Sequence, residues 1–245
     1  MSLTATLSTA QRILRQLAHD HRTIALLLGV PTMLLTLLRF MFDRSPEQFD
    51  RVALVMLGVF PFILMFLITS IAMLRERASG TLERLLTTPA GRGDLLFGYG
   101  IAFGLAAAAQ AGVATVVATQ LLGLDTRGPT GLVVLIAVLN GFLGVSLGLC
   151  LSAFAHSEFQ AVQFMPVVGI PQLLLCGLFV PRERMADGLD AASQLLPLTY
   201  AVEALEEVGR HTTATSLLWT DVGVVAAAAV LALLLGATTL RRRTA

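Results

Sequence analysis

The sequence predicts an all-α polytopic membrane protein, and its composition carries that prediction. Only 13% of the 245 residues are charged, 56% are hydrophobic, and the mean hydropathy is +0.79. A soluble domain carries about 25% charged residues, because its surface must stay hydrated. Here the few charges are clustered, and long uncharged runs separate the clusters. This distribution excludes both a water-soluble globule and a disordered chain.

Six apolar runs are long enough to cross a bilayer, whose hydrocarbon core of about 30 Å requires about 20 residues of helix. They predict spans over residues 24–42, 52–74, 95–122, 131–155, 160–180 and 222–240. Residues 24–245 therefore form one predicted six-span domain, which residues 1–23 precede. The first span contains one charge, Arg39, which we expect to extend towards the outer interface beside Asp43.

Residues 8–22 predict an amphipathic helix that lies in the inner membrane interface. Ser8 and Gln11 have the spacing of a capping box, and apolar side chains recur behind them at helical spacing. No cleavage site of small residues follows the first apolar run, so we expect this segment to stay attached as an anchor.

The arginines indicate the orientation, because the cytoplasmic segments of membrane proteins are enriched in basic residues. With the amino terminus inside, ten arginines fall on cytoplasmic segments and six fall on outer segments. This split predicts that both termini lie in the cytoplasm. Trp219, just before the last span, suits the outer interface.

The connection between the second and third spans, residues 75–94, predicts a short charged helix at the cytoplasmic side. Gly80 permits a break in the backbone, Thr81 can cap a helix, and Pro89 ends it. A narrow apolar stripe is formed by Leu82, Leu85 and Leu86. Such a helix suits docking onto another protein. The alternative is an inner loop whose charges only satisfy the orientation rule.

A second unusual segment, residues 182–221, lies on the predicted outer side between the last two spans. It mixes acidic residues with apolar stretches that are too short to span the membrane and too apolar for a solvated loop. We therefore expect a re-entrant or interfacial hairpin against the outer leaflet.

Several chemistries are excluded or weakly supported. The chain has no lysine, since all 17 basic residues are arginine, and a P-loop needs a lysine to reach the phosphates of ATP. Residues 144–148 spell the Gly-x-Ser-x-Gly of serine hydrolases, but inside a span the small residues favour helix packing. The His-Asp-His run at residues 19–21 places its histidines on different helix faces, so we expect no metal site.

Two motifs resemble those of permease subunits of type-2 ATP-binding-cassette (ABC) exporters, a group that includes bacterial drug-resistance permeases. The first motif is Arg-Glu-Arg followed by Gly-Thr-Leu-Glu and Thr-Pro, within residues 75–89. The second is Pro-x-x-Tyr-x-x-Glu-x-Leu at residues 197–205. With the interfacial helix, six spans and a basic tail, the resemblance covers nearly the whole chain.

The resemblance implies an exporter in a bacterial plasma membrane, built from two permease copies, identical or related, and two separate ATPase subunits. ATP and Mg would bind those subunits, so this chain would hold no cofactor and would not be an enzyme. The residues implied to contact the ATPase are Glu76, Gly80, Thr81, Leu82, Glu83, Arg84, Leu85 and Leu86. Those implied for the outer re-entrant hairpin, which closes the pathway, are Pro197, Tyr200 and Glu203.

The transport pathway is expected between two copies of the chain, with the fifth span as its candidate lining. Glutamines there supply hydrogen bonds without charge, and prolines permit a kink. The candidates are Gln160, Gln163, Pro166, Pro171 and Gln172. A wall without fixed charge favours a hydrophobic or amphipathic cargo, such as a drug, an antibiotic or a lipid.

Two alternative functions remain open. The first is export of a lipid-linked glycan by the same machinery. The second is an ion-coupled secondary transporter, which normally places an ionisable group inside the membrane. Within the predicted spans the only such group is Arg39, close to the outer end, and this favours an external ATPase as the source of energy.

Overall fold

A computed structural model describes residues 3–79 and 91–239. Within these ranges the chain forms nine α-helices and no strand. The helices are α1 Leu3–His19, α2 His21–Met41, α3 Pro46–Ala78, α4 Arg92–Val116, α5 Thr130–Leu151, α6 Glu158–Leu175, α7 Asp187–Ser193, α8 Pro197–Arg210 and α9 Ser216–Thr239. A π-helical turn, Val117–Leu121, extends α4, and single 3₁₀ turns lie at Ser152–Phe154 and Arg182–Arg184.

In the part of the chain that the structure describes, five helical segments are long and apolar enough to cross a membrane, and they make the chain a multi-pass membrane protein. They are His21–Met41, Pro46–Ala78, Gly93–Leu121, Thr130–Phe154 and Ser216–Thr238. These segments correspond to the first four predicted spans and the last one. The fifth predicted span is α6, whose 18 residues include two prolines and three glutamines. Its helix is about 27 Å long, and the arrangement of six spans stays a prediction.

Several helices, including α9, start earlier than the sequence predicts, and α1 and α3 show why. Helix α1 begins at Leu3 rather than near Ser8, so the predicted capping box is wrong. The Ser8 hydroxyl instead lies inside the helix and donates to the Ala5 carbonyl oxygen at 2.9 Å. Helix α3 begins at Pro46, where proline suits the first turn, and runs 33 residues to Ala78. Its charged ends extend the helix beyond the apolar stretch from which the span was predicted.

The core of the bundle is the contact between α3 and α5. A Cβ atom added at Gly144 would meet the backbone carbonyl of Phe62, and one added at Gly148 would meet the backbone of Phe66. Small residues let membrane helices approach this closely. The prediction that these glycines serve helix packing is therefore confirmed.

Two buried polar side chains on α5 satisfy backbone carbonyls instead of forming a catalytic site. Asn140 Nδ2 donates to the Gly58 carbonyl oxygen at 2.8 Å and so links α5 to α3. The hydroxyl of Ser146, the serine of the hydrolase-like motif, donates to the Phe142 carbonyl oxygen of its own helix at 2.9 Å. Ser146 therefore belongs to the packed interior.

Helices α4 and α9 both pack on α5 and contact each other, and α8 packs on α3 and α9. Helix α8 is amphipathic, and its buried side is formed by Leu198, Thr199, Ala201, Val202, Ala204, Leu205 and Val208. Together, α7 and α8 form a short helical segment between α6 and α9, where the sequence predicts a re-entrant hairpin. The depth of this segment in the membrane stays a prediction.

Arg39 lies near the end of α2 and contacts Asp43, as the sequence predicts, with Nη1 and Oδ1 3.6 Å apart. Its Nε also donates to the Leu122 carbonyl oxygen at 3.0 Å, and its guanidinium lies 5.6 Å from the centre of the Phe49 ring. These contacts hold the charge at one end of the bundle.

Candidate functional sites at the two ends of the bundle

Three consecutive charged residues at the end of α3 attach it to three other parts of the chain. Successive residues of an α-helix point about 100° apart, so neighbours in sequence face different directions. The three contacts are Arg75 Nε–Glu158 Oε1 at 2.8 Å, Glu76 Oε1–Arg12 Nη1 at 2.8 Å, and Arg77 Nη1–Ser152 O at 3.1 Å. We call these six residues the α3 clamp, because they join the end of α3 to α6, α1 and the turn after α5.

The pair between Arg12 and Glu76 is the more enclosed of the two ion pairs in the clamp. Their side chains are 29% and 13% exposed, and Arg12 Nη2 also donates to the Tyr99 hydroxyl at 3.3 Å. Burial lowers the pKa of Arg12, but the hydrogen bond to Glu76 and the contact with Tyr99 outweigh it and raise the pKa overall. Since the pair is partly removed from water, losing one partner leaves a poorly solvated charge.

The pair between Arg75 and Glu158 is exposed and bidentate. Arg75 Nη2 donates to Glu158 Oε2 at 3.1 Å, in addition to the contact through Nε. The hydrogen bond from Arg75 lowers the pKa of Glu158, so the carboxylate stays charged at neutral pH. An exposed pair contributes little to stability, but a two-point contact fixes the geometry between α3 and the start of α6.

Helix α1 also holds the start of α4. A Cβ atom added at Gly98 of α4 would meet the side chain of Thr9 and the backbone carbonyl of Thr6. Asp94 accepts hydrogen bonds from the Gly91 amide at 2.9 Å and from the Thr6 hydroxyl at 3.5 Å. Helix α1 therefore contacts both of the helix ends that flank residues 80–90.

Of the residues predicted to contact an ATPase, Glu76 is the one that the structure describes. The other seven, residues 80–86, lie outside the described residues. Glu76 belongs to the α3 clamp, which directly precedes them in the sequence.

At the opposite end of the bundle, α8 carries the residues predicted for the outer hairpin, which are Pro197, Tyr200 and Glu203. The Tyr200 hydroxyl donates to the Gln194 carbonyl oxygen at 2.8 Å. Arg182 bridges two carboxylates, Glu203 at 2.8 Å and Asp190 at 3.1 Å. These contacts attach α8 to α7 and to the segment that follows α6.

Asp221 is a buried acidic residue that the sequence analysis missed. Its side chain is 2% exposed within α9, and its Oδ2 has no hydrogen-bond partner in the described part of the chain. It lies within electrostatic range of Glu203, Glu207 and Arg182. The predicted last span began one residue later, since a charge ends an apolar run. The signal that could have placed Asp221 inside the helix is the apolar run Leu217-Leu218-Trp219, which precedes it and follows Ser216 at the helix start.

The five pathway candidates all lie on α6 and differ in their surroundings. Gln163, Pro166 and Pro171 are exposed on a face of α6 that no other described helix covers. Gln160 Oε1 accepts from the His156 amide at 2.8 Å, before the helix starts. Gln172 is buried, and its Oε1 accepts from the amide of Leu198 at the start of α8 at 3.3 Å.

The sequence of the chain matches a known family of membrane transporters. A family model described as ABC-2 type transporter matches residues 4–208. Among curated proteins, ABC transporter G family member 20 of Dictyostelium discoideum is 28% identical over 141 residues, which are 58% of this chain and 19% of that protein. Inner membrane transport permease YhhJ of Escherichia coli is 26% identical over 174 residues, 71% of this chain and 46% of the relative.

A third similar protein carries a more specific name. The probable multidrug ABC transporter permease YbhR of Escherichia coli is 24% identical over 153 residues, 62% of this chain and 42% of the relative. The chain thus spans less than half the length of each of these curated relatives.

Proposed function

The chain belongs to the ABC-2 type transporter family, and on that basis we propose that it is the permease subunit of an ATP-driven exporter in a bacterial plasma membrane. ATP would be hydrolysed on a separate ATPase subunit, because a chain without lysine cannot form a P-loop. Two permease copies, identical or related, would assemble with two ATPase subunits. The exposed face of α6 is where we propose that the second copy packs.

We propose that the cargo is a hydrophobic or amphipathic small molecule. Support comes from a relative whose name includes multidrug transport and from the uncharged face of α6, where Gln163, Pro166 and Pro171 are exposed. A lipid-linked glycan is the alternative cargo.

The observation that carries the proposed mechanism is the α3 clamp. Residues 80–90 would contact the ATPase, and a displacement of this segment would act first on the end of α3. Through its contacts with Arg12, Glu158 and Ser152, that end would move α1, α6 and the turn after α5 together. Because α6 is the proposed pathway wall, the clamp connects the ATPase contact to the pathway.

Asp221 favours a second candidate function, ion-coupled transport. A buried carboxylate inside a spanning helix is the kind of group such transporters use, and the structure places one at Asp221. The two functions differ in their source of energy. In inverted membrane vesicles an ATP-driven exporter works with ATP after a protonophore and a sodium ionophore are added, whereas a transporter coupled to either ion stops.

The experiment that tests the proposed function changes residues 80–86. We expect Leu85→Ala to remove an apolar anchor of the ATPase contact, and Glu83→Arg to introduce repulsion against a basic partner. Neither residue lies in a predicted span, so membrane abundance should stay near normal. Both variants should lose export and substrate-stimulated ATP hydrolysis in the assembled complex. Persistence of both activities at normal abundance would show that this segment is not the coupling element.

A further inference from the structure

A cavity of about 740 Å³ lies between α1, α2, α3 and α4, next to the α3 clamp. Most of its wall is apolar, with contributions from Leu26 on α2, Ile68 on α3 and Phe103 on α4. One end is polar and includes Asp20 and Glu76. Cavities of about 300–1,000 Å³ with apolar walls and a few polar groups are typical of small-molecule sites. The size and the lining of this cavity therefore suit an amphipathic ligand whose polar head group lies at the α3 clamp.

The guanidinium group that lines the polar end, Arg75, and the one that binds Glu76 from α1, Arg12, are already paired. Arg75 lines the cavity and is bound by both oxygens of Glu158. Arg12 is bound by Glu76 Oε1 and by Tyr99. An anionic head group would therefore have to displace a carboxylate from one of these pairs.

Two carboxylate acceptors remain for a cation. Asp20 forms no ion pair in the described ranges, and its oxygens accept from the Thr23 amide at 3.2 Å and the Thr23 hydroxyl at 2.6 Å. Glu76 Oε2 is buried and has no hydrogen-bond partner among the described residues. The charged side chains that line the cavity are two carboxylates, Asp20 and Glu76, and one guanidinium group, that of Arg75, which lies within electrostatic range of Asp20. The hydrogen bonds from Thr23 lower the pKa of Asp20, so it stays charged at neutral pH.

Helix α2 leaves the cavity accessible from the side. Only 17% of the apolar stretch of α2 is buried, compared with 61% in α3 and α5. Leu26 lines the cavity and is 60% exposed, so the opening runs beside α2 towards the region that lipid would fill. A ligand dissolved in the membrane could reach the apolar part of the cavity without crossing water.

We propose that this cavity binds a cationic amphiphile, a molecule with an apolar body and one ammonium group, taken from the membrane leaflet next to the clamp. The apolar body lies against α2, α3 and α4, and the ammonium group lies between Asp20 and Glu76. This names a cargo class and its first binding site, and in that respect it rests on the proposed export function. Binding itself requires neither the ATPase nor transport.

The binding test uses three matched fluorescent probes and the purified chain in lipid nanodiscs. Each probe joins a dansyl group to the same alkyl chain, which ends in an ammonium, a methyl or a carboxylate group. We expect the ammonium probe to bind more tightly than the methyl probe, and the carboxylate probe to bind least. Equal binding of all three probes, or tightest binding of the carboxylate probe, would overturn the proposal; the latter would indicate an anionic lipid as the occupant.

Two variants separate the charge from the apolar wall. Asp20→Asn keeps a helix-capping side chain and should reduce the preference for the ammonium probe by about two- to fivefold, the range for an exposed ion pair. Asp43→Asn, which removes an acid at the other end of α2, is the matched control and should change nothing. An unchanged ammonium preference in Asp20→Asn would contradict the assigned position of the head group.

Ile68→Trp fills part of the cavity and should lower the affinity for all three probes by about tenfold. This loss is equivalent to the lost contact of about two methylene groups. Its control, Leu135→Trp, places the same bulk on the exposed side of α5, away from the cavity. If the Ile68→Trp variant binds the three probes as tightly as the unsubstituted protein does, the cavity is not the binding site. The ammonium probe could bind most tightly, as expected, without being exported in an ATP-dependent manner. That result would contradict the proposed export function but would support the binding site.

Discussion

Removing the charge of Glu76 should lower both substrate-stimulated ATP hydrolysis and export while leaving the permease folded. Glu76→Gln keeps the size of the side chain but removes the ion pair with Arg12, whose Nη1 lies 2.8 Å from Glu76 Oε1. The substitution changes no residue of the 80–90 segment. Because Glu76 is also an implied ATPase contact and lines the cavity, an effect reports on the α3 clamp only if Arg12→Gln, which breaks the same ion pair from α1, has the same effect.

The magnitude follows from the exposure of the pair. Breaking a fully exposed pair costs about 0–1 kcal/mol, and removing one partner of a buried pair costs about 3–5 kcal/mol. The side chains of Arg12 and Glu76 are 29% and 13% exposed, between these limits. We therefore expect the attachment of α1 to α3 to weaken by about 1–3 kcal/mol, since Arg12 keeps part of its hydration.

The assay compares matched amounts of variant complexes in lipid vesicles, with the partner ATPase present. Glu76→Gln and Arg12→Gln should each lower substrate-stimulated ATP hydrolysis and export, and the double variant should lose little more than either single one. The exchanged pair, Arg12→Glu with Glu76→Arg, should recover part of the activity.

The control for this assay is an ion pair at the other end of the bundle. Arg51 and Glu206 lie 3.2 Å apart, with side chains 49% and 16% exposed. Arg51→Gln should leave the stimulation of ATP hydrolysis intact. The reasoning is refuted if Glu76→Gln keeps full stimulation and export at normal abundance, or if Arg51→Gln reduces them as much.

Two further predictions concern packing and topology. Gly144→Ala should lower the free energy of unfolding by about 1–3 kcal/mol, because the new Cβ would meet the backbone of α3. Gly112→Ala is the control, since its Cβ has open space and the change should be neutral or stabilising. Thermal unfolding midpoints in detergent measure both variants, and equal midpoints would contradict the close contact between α3 and α5. Single cysteines at Ser79 and Asp187, both exposed, should be labelled from opposite sides of the membrane in a version without the native cysteines. Labelling from the same side would rule out the six-span topology.

The helices could be predicted from sequence because long apolar runs have few other stable states in a membrane protein. Their ends could not, since hydropathy does not detect a helix that continues through charged residues. Helix α3 shows this at both ends, where Pro46 and Ala78 lie beyond the apolar run. Hydropathy missed Asp221 for the same reason: its charge ends the apolar run, although the helix continues through it and neighbouring helices bury it.

The charged run at residues 75–77 was noticed from sequence, but its partners were not. Arg12 is separated from Glu76 by 64 positions and Glu158 from Arg75 by 83. No local pattern encodes such pairs, because they form only when the helices have packed. Sequence reasoning placed the run in a segment that suits docking and named Glu76 as an ATPase contact, which stays a prediction. The structure adds that each of the three residues contacts another part of the same chain.

The clamp and the cavity share Arg75 and Glu76, and this predicts reciprocal coupling between cargo and ATPase. If cargo at Glu76 changes how strongly the ATPase binds, linkage requires that the bound ATPase change cargo affinity by the same factor. Couplings between two sites are commonly about 5- to 150-fold. We therefore expect the Kd of the ammonium probe to shift by at least about fivefold when the ATPase is added to the nanodiscs, in the direction that matches its effect on ATPase binding. The shift should shrink in Arg12→Gln, because that variant disconnects α1 from Glu76. An unchanged Kd in the complete complex would mean that the cavity and the ATPase contact act independently, despite the residues they share.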